Sequence, residues 1–276
     1  MPLGKRISGL IHGLAVGAVL YGSLVLLFIL VLPLWWWPSR AGRVAGFLAG
    51  LAVQLALWVG RVRVQNSGGE HAAALSRGPG YILIANHASN LDPLALIKVL
   101  RRNDLAFVAK AETLRRPLLG HLLRVIGWFP VERDSMVALK RFQEQVAARR
   151  KTGWVPNLVV FPEGTRSLDG RLQPFRMGPF LLSVTSGIPI LPVIIRGTHP
   201  LHRRNAFAVY PGTVRVDILP PIEPPAAKVR PAELVDAVAA LQRRAESIYR
   251  AVPDLNEADS DLVGVAVAAE PVRTGS

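Results

Sequence analysis

The sequence predicts an α/β fold with a mostly parallel central sheet flanked by helices, preceded by an N-terminal hydrophobic helical hairpin that anchors it to a membrane. Three observations carry that prediction. Short apolar runs of strand character alternate with segments of helical spacing, the order that builds a parallel sheet with crossover helices. The run from Ile7 to Pro38 contains no formally charged residue, and a bilayer core needs roughly 20 apolar residues in a helix. A second apolar run, Val44 to Gly60, follows almost at once and carries a single polar side chain, Gln54. The chain therefore divides into a hairpin at 1–60, an α/β domain at 61–251 and an acidic tail at 252–276, expected to be disordered.

The first apolar run is too long for the roughly 7–15-residue core of a cleaved signal peptide. Trp35, Trp36, Trp37, Pro38, Arg40 and Arg43 read as an interfacial turn, because tryptophan favours the headgroup level and proline ends a helix. Trp58, Arg61 and Arg63 mark the return, and Lys5 and Arg6 lie at the hairpin's other end. By the positive-inside rule both ends face the cytoplasm. The second run is short for a full span, so a hairpin dipping into one leaflet fits at least as well as two spans; a buried soluble helix is the alternative for that run. Gly9, Gly13 and Gly17, and then Gly42, Gly46 and Gly50, recur at four-residue spacing, a stripe that lets another backbone approach closely.

Beyond the hairpin, "RVRVQ" and "YILIAN" are strand-like and "DPLALIKVLRR" is helical. "LAFVAK" is a strand, "PLLGHLLRVIG" a helix and "WFPVER" a strand again. "MVALKRFQEQVAARRKTG" has apolar and basic faces and ends in glycine, a common helix stop. "NLVVFP" is a buried strand, "FRMGPFLLSVTSG" a helix and "IPILPVIIRG" a proline-punctuated strand. Two further β-like runs, "AFAVYPG" and "TVRVDILPPI", precede a helix from about Pro231 to Ala251.

Composition narrows the chemistry. The 276 residues contain no cysteine, which excludes disulfides, thiol nucleophiles and cysteine-held metals. The six histidines are scattered, and His199 and His202, beside Pro200, read as a loop and not as a metal site. Net charge is +14, although the tail sets Asp254, Glu257, Asp259, Asp261 and Glu270 against Arg273. A basic surface beside a membrane anchor suits anionic lipid headgroups or an anionic substrate. No recognition helix, zinc finger or aromatic platform accompanies it, so nucleic acid is not an expected partner.

Two polar clusters carry candidate chemistry. "NHASNLD" (Asn86–Asp92) follows the apolar run "YILIA", which places His87 at a strand's carboxyl end, where ligand crevices open in such sheets. Five residues of continuous helix turn through about 500°, so His87 and Asp92 meet only if the chain turns between them. "ASNLDP" supplies that turn: Ser89 or Asn90 can cap a new helix, and Pro93 suits its first turn. Asp92 can then hold one imidazole nitrogen and leave the other to take a proton from a hydroxyl. The alternative makes Asp92 the helix cap and His87 a loop residue. The second cluster, "FPEGTRS" (Phe161–Ser167), sends Glu163 and Arg166 through the turn at Gly164 and Thr165 to the same sheet edge. An arginine there can grip a phosphate through two hydrogen bonds, and Glu163 can orient that arginine or a substrate hydroxyl. A tight turn with a surface ion pair is the bland alternative.

These residues resemble the glycerophospholipid acyltransferase family, most closely its 1-acyl-sn-glycerol-3-phosphate (lysophosphatidic acid) acyltransferases. "NHASNLD" and "FPEGTRS" match that family's first and third blocks. Phe107–Asp134 is similar to the second block, with Lys110, Gly120, Gly127 and Arg133 where that pattern wants them. Ile190–Thr198 is similar to the weaker fourth block, and the resemblance spans about Arg61 to Pro221. It implies that His87, oriented by Asp92, deprotonates a glycerol hydroxyl that attacks an acyl thioester. It also implies a substrate-phosphate site built on Arg166, Glu163, Gly164 and Thr165, with Lys110 and Arg133 as further candidates; solvated strand-end charges are the alternative for those two. The expected partners are membrane lipids with anionic headgroups, lysophosphatidic acid, and acyl-CoA or acyl carrier protein as donor. No metal or other cofactor is implied. The expected place is the cytoplasmic membrane, with the catalytic domain on its cytoplasmic face. Another acceptor within the family (a lysophospholipid, glycerol-3-phosphate or a lyso-ornithine lipid) and hydrolysis of lipid esters or thioesters remain alternatives.

Overall fold

The computed structural model describes residues 3–31, 38–75, 78, 80–100, 105–116, 119–131, 136–153, 157–225 and 229–256. Two apolar helices, α1 (Leu3–Val31) and α2 (Pro38–Val59), open the chain and pack on each other. Trp35, Trp36 and Trp37 of the expected interfacial turn lie outside the described residues, and Pro38 begins α2. Among the described residues α1 is the one helix long and apolar enough to cross a membrane, from Leu3 to Leu30. The apolar part of α2, Val44–Val59, is shorter. Both helices turn large apolar side chains outward, among them Leu14, Leu26, Phe47, Leu51 and Trp58.

The glycine stripe of α1 has a specific occupant. A Cβ at Gly13 would lie 2.3 Å from the carbonyl oxygen of Phe207, and one at Gly9 2.3 Å from the Tyr210 ring. The N–H of Val209 donates to the carbonyl of Gly9 at 3.0 Å. "AFAVYPG" is therefore not a strand. Its alternating apolar residues meet a helix, and the missing side chains of the stripe are what admit it. In the second stripe Gly42 faces the Val125 carbonyl, 3.0 Å from a would-be Cβ, whereas Gly50 has nothing near it.

The strands form one sheet. β1 (Val62–Ser67) and β2 (Tyr81–Ala85) are joined through the short helix α3 (Gly69–Ala74). From β2 the chain runs through α4 (Leu91–Leu100) to β3 (Leu105–Lys110), then through α5 (Ala111–Leu114) and α6 (Leu119–Val125) to β4 (Phe129–Val131). Helix α7 (Met136–Lys151) leads to β5 (Asn157–Val160), and α8 (Gly178–Ser186) to β6 (Ile190–Arg196). After the single turn α9 (Thr198–Leu201) come β7 (Gly212–Ile218) and the long α10 (Leu234–Arg250). The order across the sheet is β1-β7-β6-β2-β5-β3-β4, parallel except where β6 meets β7.

Side-chain alternation splits the core in two. Leu83, Phe107, Val159 and Val193 face α4 and the hairpin, while Ile82, Ile84, Leu158 and Ile194 face α8 and α10. A sheet covered on both sides buries every residue of its central strands, which is why "YILIA" reads as an unbroken apolar run and is wholly buried. Burying each such Ile or Leu contributes roughly 1.5–3 kcal/mol. The first residues of the expected tail, 252–256, are among the described residues. Pro253–Leu255 forms a 3-10 turn in which Leu255 is buried and its carbonyl accepts from Leu172 N–H at 2.7 Å. Residues 257–276 lie outside the described residues.

Candidate active site

The chain leaves β2 toward β3 on one side and β5 toward β6 on the other, so the loops following these two neighbouring strands flank a topological switch point. Ligand crevices in parallel sheets open there, outside the strands' carboxyl ends. On the other side of β2, two side chains separate it from β6. The Tyr249 hydroxyl of α10 stands between β2 and β6, accepting from Val193 N–H at 3.0 Å and donating to the Ile84 carbonyl at 2.6 Å. One step further on, the Asn86 amide takes the place of a strand. Its Nδ2 donates to the Ile195 carbonyl and its Oδ1 accepts from Ile195 N–H, both at 2.8 Å. β2 is thus parted from β6 just before His87.

The chain then turns, and the turn is held by Asp92, which is 0% exposed. Its Oδ2 accepts from His87 Nδ1, from Ala88 N–H and from Ser89 N–H, each at 2.8 Å. Asp92 lies in the first turn of α4, where a carboxylate is also favoured by the helix's N-terminal partial charge. The Ser89 hydroxyl accepts from Leu91 N–H at 3.1 Å and donates to the His202 carbonyl at 2.7 Å, so it is engaged in structure on both sides. The His87 ring stacks on Phe161 with centroids 4.0 Å apart. With Nδ1 donating to Asp92, Nε2 has no partner among the described residues, and 17% of the side chain is exposed. That is the arrangement of a base whose tautomer is fixed and whose lone pair is open.

The second loop clasps the first. The His87 carbonyl accepts from Ser167 N–H at 2.8 Å. Glu163, 4% exposed, accepts from His87 N–H at 2.6 Å and from Gln173 N–H at 3.1 Å. Its carboxyl is thus turned to the backbone and not to Arg166, so of the two partners expected of it, the arginine or a substrate hydroxyl, the arginine is not met. The physical reason is its depth under the loop. Burial pushes the Glu163 carboxyl up to about 8, the Asp92 charge adds to the rise, and the two backbone N–H groups only partly oppose it. Gly164 has φ +72°, and a Cβ there would lie 2.6 Å from Arg176 Nε, so the turn excludes a side chain on two counts. Thr165 is half-buried beside it.

Arg166 is half-buried, and among the described residues its guanidinium meets no carboxylate. Burial pulls it down from the usual arginine range, the neighbouring Arg204 adds to that, and Asp92 opposes it. Lys110, at the carboxyl end of β3, is exposed and paired with Glu112 at 3.3 Å. Register places it level with the β5 loop, one strand beyond Arg166. Arg133 lies outside the described residues. The structure therefore gathers His87, Asp92, Glu163, Gly164, Thr165 and Arg166 at one edge and leaves Lys110 at its flank.

Several residues at this edge were not singled out in the sequence. Tyr249 and Asn86 part the strands, Arg176 passes over Gly164, and the loop from His202 to Arg204 joins the two motif loops. A basic run one short turn beyond an apolar strand, "HRRN", was the available signal for the last. His202 faces Asn90 Nδ2 at 3.4 Å through Nε2 and the Ala208 carbonyl at 3.1 Å through Nδ1, and His199 Nε2 meets the Leu168 carbonyl at 3.2 Å.

The family model described as Acyltransferase matches residues 63–196. A 1-acyl-sn-glycerol-3-phosphate acyltransferase of Limnanthes douglasii is 34% identical over 197 residues, covering 71% of this chain and 66% of that protein. The chain thus spans a little under two thirds of that relative's length. A protein of the same description from Cocos nucifera is 28% identical over 222 residues, or 79% of this chain and 67% of that one. The crystal structure of the 1-acyl-sn-glycerophosphate (LPA) acyltransferase from Thermotoga maritima superimposes with a TM-score of 0.67 at 23% identity, covering 89% of this chain and 98% of that one.

Proposed function

We propose that the chain, which the Acyltransferase family model matches over residues 63–196, is a membrane-bound O-acyltransferase that moves a fatty acyl group from a thioester donor to the sn-2 hydroxyl of 1-acyl-sn-glycerol-3-phosphate, giving phosphatidic acid. The observation that carries this reading is the His87 imidazole, held at Nδ1 by Asp92 at 2.8 Å with Nε2 unpartnered among the described residues, one strand from a guanidinium that pairs with no carboxylate among them.

In this reading His87 Nε2 takes the proton of the acceptor hydroxyl as its oxygen attacks the thioester carbonyl. Asp92 stabilises the imidazolium that forms. The tetrahedral centre collapses, the carbon–sulfur bond breaks, and the departing thiolate takes the proton back from Nε2. A positioned base of this kind contributes about 10²–10⁴ in rate. Arg166 holds the acceptor's phosphate, which fixes the glycerol hydroxyl relative to His87. The donor is acyl-CoA or an acyl carrier protein, both acidic and both suited to a basic surface. α1, about 42 Å long and apolar on its outer side, anchors the protein in the cytoplasmic membrane with the site on the cytoplasmic face, where lipid acceptors enter.

The test is acyl transfer in detergent with labelled thioesters and a panel of acceptors: 1-acylglycerol-3-phosphate, glycerol-3-phosphate, a diester lysophospholipid and none. Phosphatidic acid as the main product is expected. Free fatty acid formed at the same rate without acceptor would instead identify a hydrolase.

A further inference from the structure

Resting on the reading of Arg166 as the phosphate grip, we propose that Arg204 is a second guanidinium of that subsite, and that the pair selects phosphomonoester acceptors over phosphodiester ones. Arg204 lies outside the four sequence blocks, in the loop after α9. Because β6 runs parallel to β2, that loop emerges at the same sheet edge as the two motifs. It is secured on both: the His202 carbonyl accepts from the Ser89 hydroxyl at 2.7 Å, and Arg204 Nη1 donates to the Arg166 carbonyl at 2.9 Å. Asn205, with φ 62°, turns the chain back immediately afterwards. Behind it, the Phe207–Tyr210 segment is seated on the glycine stripe of α1, so the loop is fixed from the membrane helix as well.

The charges at this place do not cancel. Among the described residues Arg204 meets only a neutral carbonyl and Arg166 meets no carboxylate. Of the two acids three residues away in sequence, Glu163 is turned to the backbone of His87 and Gln173, and Asp169 is engaged with Arg171 and the Ser167 hydroxyl. Asp92 is already shared by His87, Ala88 and Ser89. The two arginines repel each other, which adds to the downward pull that burial exerts on Arg166. Two like charges held together, opposed only by an Asp92 carboxylate that already serves His87, are relieved when an anion enters between them, and relieved most by a dianion. A phosphomonoester carries about −1.5 to −2 at neutral pH, with a second pKa near 6, whereas a phosphodiester carries a single charge. Guanidinium forks also match phosphate oxygens in pairs. The expected class is therefore a glycerol phosphomonoester with a free sn-2 hydroxyl, and diester lysolipids are disfavoured by charge before shape is considered.

The experiment compares binding of 1-oleoylglycerol-3-phosphate and 1-oleoylglycerol-3-phosphocholine to the full chain in detergent micelles, by calorimetry, at pH 5 and pH 7. Wild type should prefer the monoester, and more strongly at pH 7, where its phosphate is a dianion. Arg204→Gln, which removes the charge and ends about two bonds short of Nη1, should lower the monoester preference about tenfold and flatten its rise with pH. Arg204→Lys should restore part of both. An unchanged preference in Arg204→Gln would overturn the proposal, and so would equal weakening of both lipids, because Arg204 would then merely brace the loop. Arg166→Gln separates this from the underlying reading. If Arg166→Gln loses the monoester preference while Arg204→Gln keeps it, only the role of Arg204 falls; if Arg166→Gln keeps it too, the phosphate site itself is misplaced.

Discussion

The loop after β2 and the loop after β5 stand one strand apart, yet they treat their polar groups in opposite ways. In the first, Asp92 Oδ2 takes three hydrogen bonds, the Ser89 hydroxyl is engaged on both sides and Asn86 is locked to Ile195. In the second, Arg166 is left half-buried beside Arg204; among the described residues it pairs with no carboxylate, and only the charge of Asp92, already committed to His87, acts against its neighbour. The difference follows from what each must do. A general base works only if its ring and tautomer are set before the substrate arrives, so the Asp92 oxygen that holds Nδ1 is fixed in advance, although the carboxylate's Oδ1 is buried without a partner among the described residues. A phosphate grip works only if its charge is still unanswered. Glu163 links the two, since it belongs to the second loop but serves the backbone of the first.

That contrast can be broken from the satisfied side. Asp92→Asn leaves a buried amide where three donors converge and removes the charge that stabilises the imidazolium. The expected result is a fall in kcat of about a thousandfold, read in acyl transfer, with a much smaller change in acceptor affinity. Comparable losses in both would show that the two loops are not separable.

Glu163→Gln sharpens the comparison through pH. The native carboxyl titrates near 8 when folded, against 4.5 for the unperturbed group. The folded protein therefore holds a proton that the unfolded chain has released, and native stability falls as pH rises through that window. A glutamine has no such proton. The stability of Glu163→Gln relative to wild type should rise by up to about 1.4 kcal/mol per pH unit across the window and level off above it. Denaturant unfolding at several pH values measures this. A flat difference would mean that Glu163 is ionised in the folded protein.

Tyr249→Phe has the smallest expected effect. It deletes the hydroxyl that relays Val193 N–H to the Ile84 carbonyl, leaving the strands either to close or to lose a bond, at about 1–3 kcal/mol. Unfolding midpoints test it. Unchanged stability would indicate that β2 and β6 pair directly without cost, and that the tyrosine does not hold them apart.

The fold and the motif loops were legible because their signals are local. An unbroken apolar run ending in "NHASNLD" says buried strand, then a polar turn at the sheet edge, and "NLVVFPEGTR" says the same again. What could not be read depends on distant partners. Tyr249 is 165 residues from the Ile84 carbonyl it serves, and Ser89 is 113 from that of His202; no local pattern marks either pair. "AFAVYPG" alternates like a strand, and only the glycines of α1, far back in the chain, reveal that it docks on a helix. Glu163 looked like a partner for Arg166, four-letter neighbours in one turn, until the burial of that turn under the first loop fixed its direction.

The most direct test of this division of labour is His87→Ala, assayed in two ways on the same preparation: transfer of a labelled acyl group to 1-acylglycerol-3-phosphate, and equilibrium binding of that acceptor. The account predicts that transfer falls at least about a hundredfold while acceptor affinity is retained, since the phosphate grip is built elsewhere. Transfer at the wild-type rate, or a loss of binding as large as the loss of transfer, would contradict it.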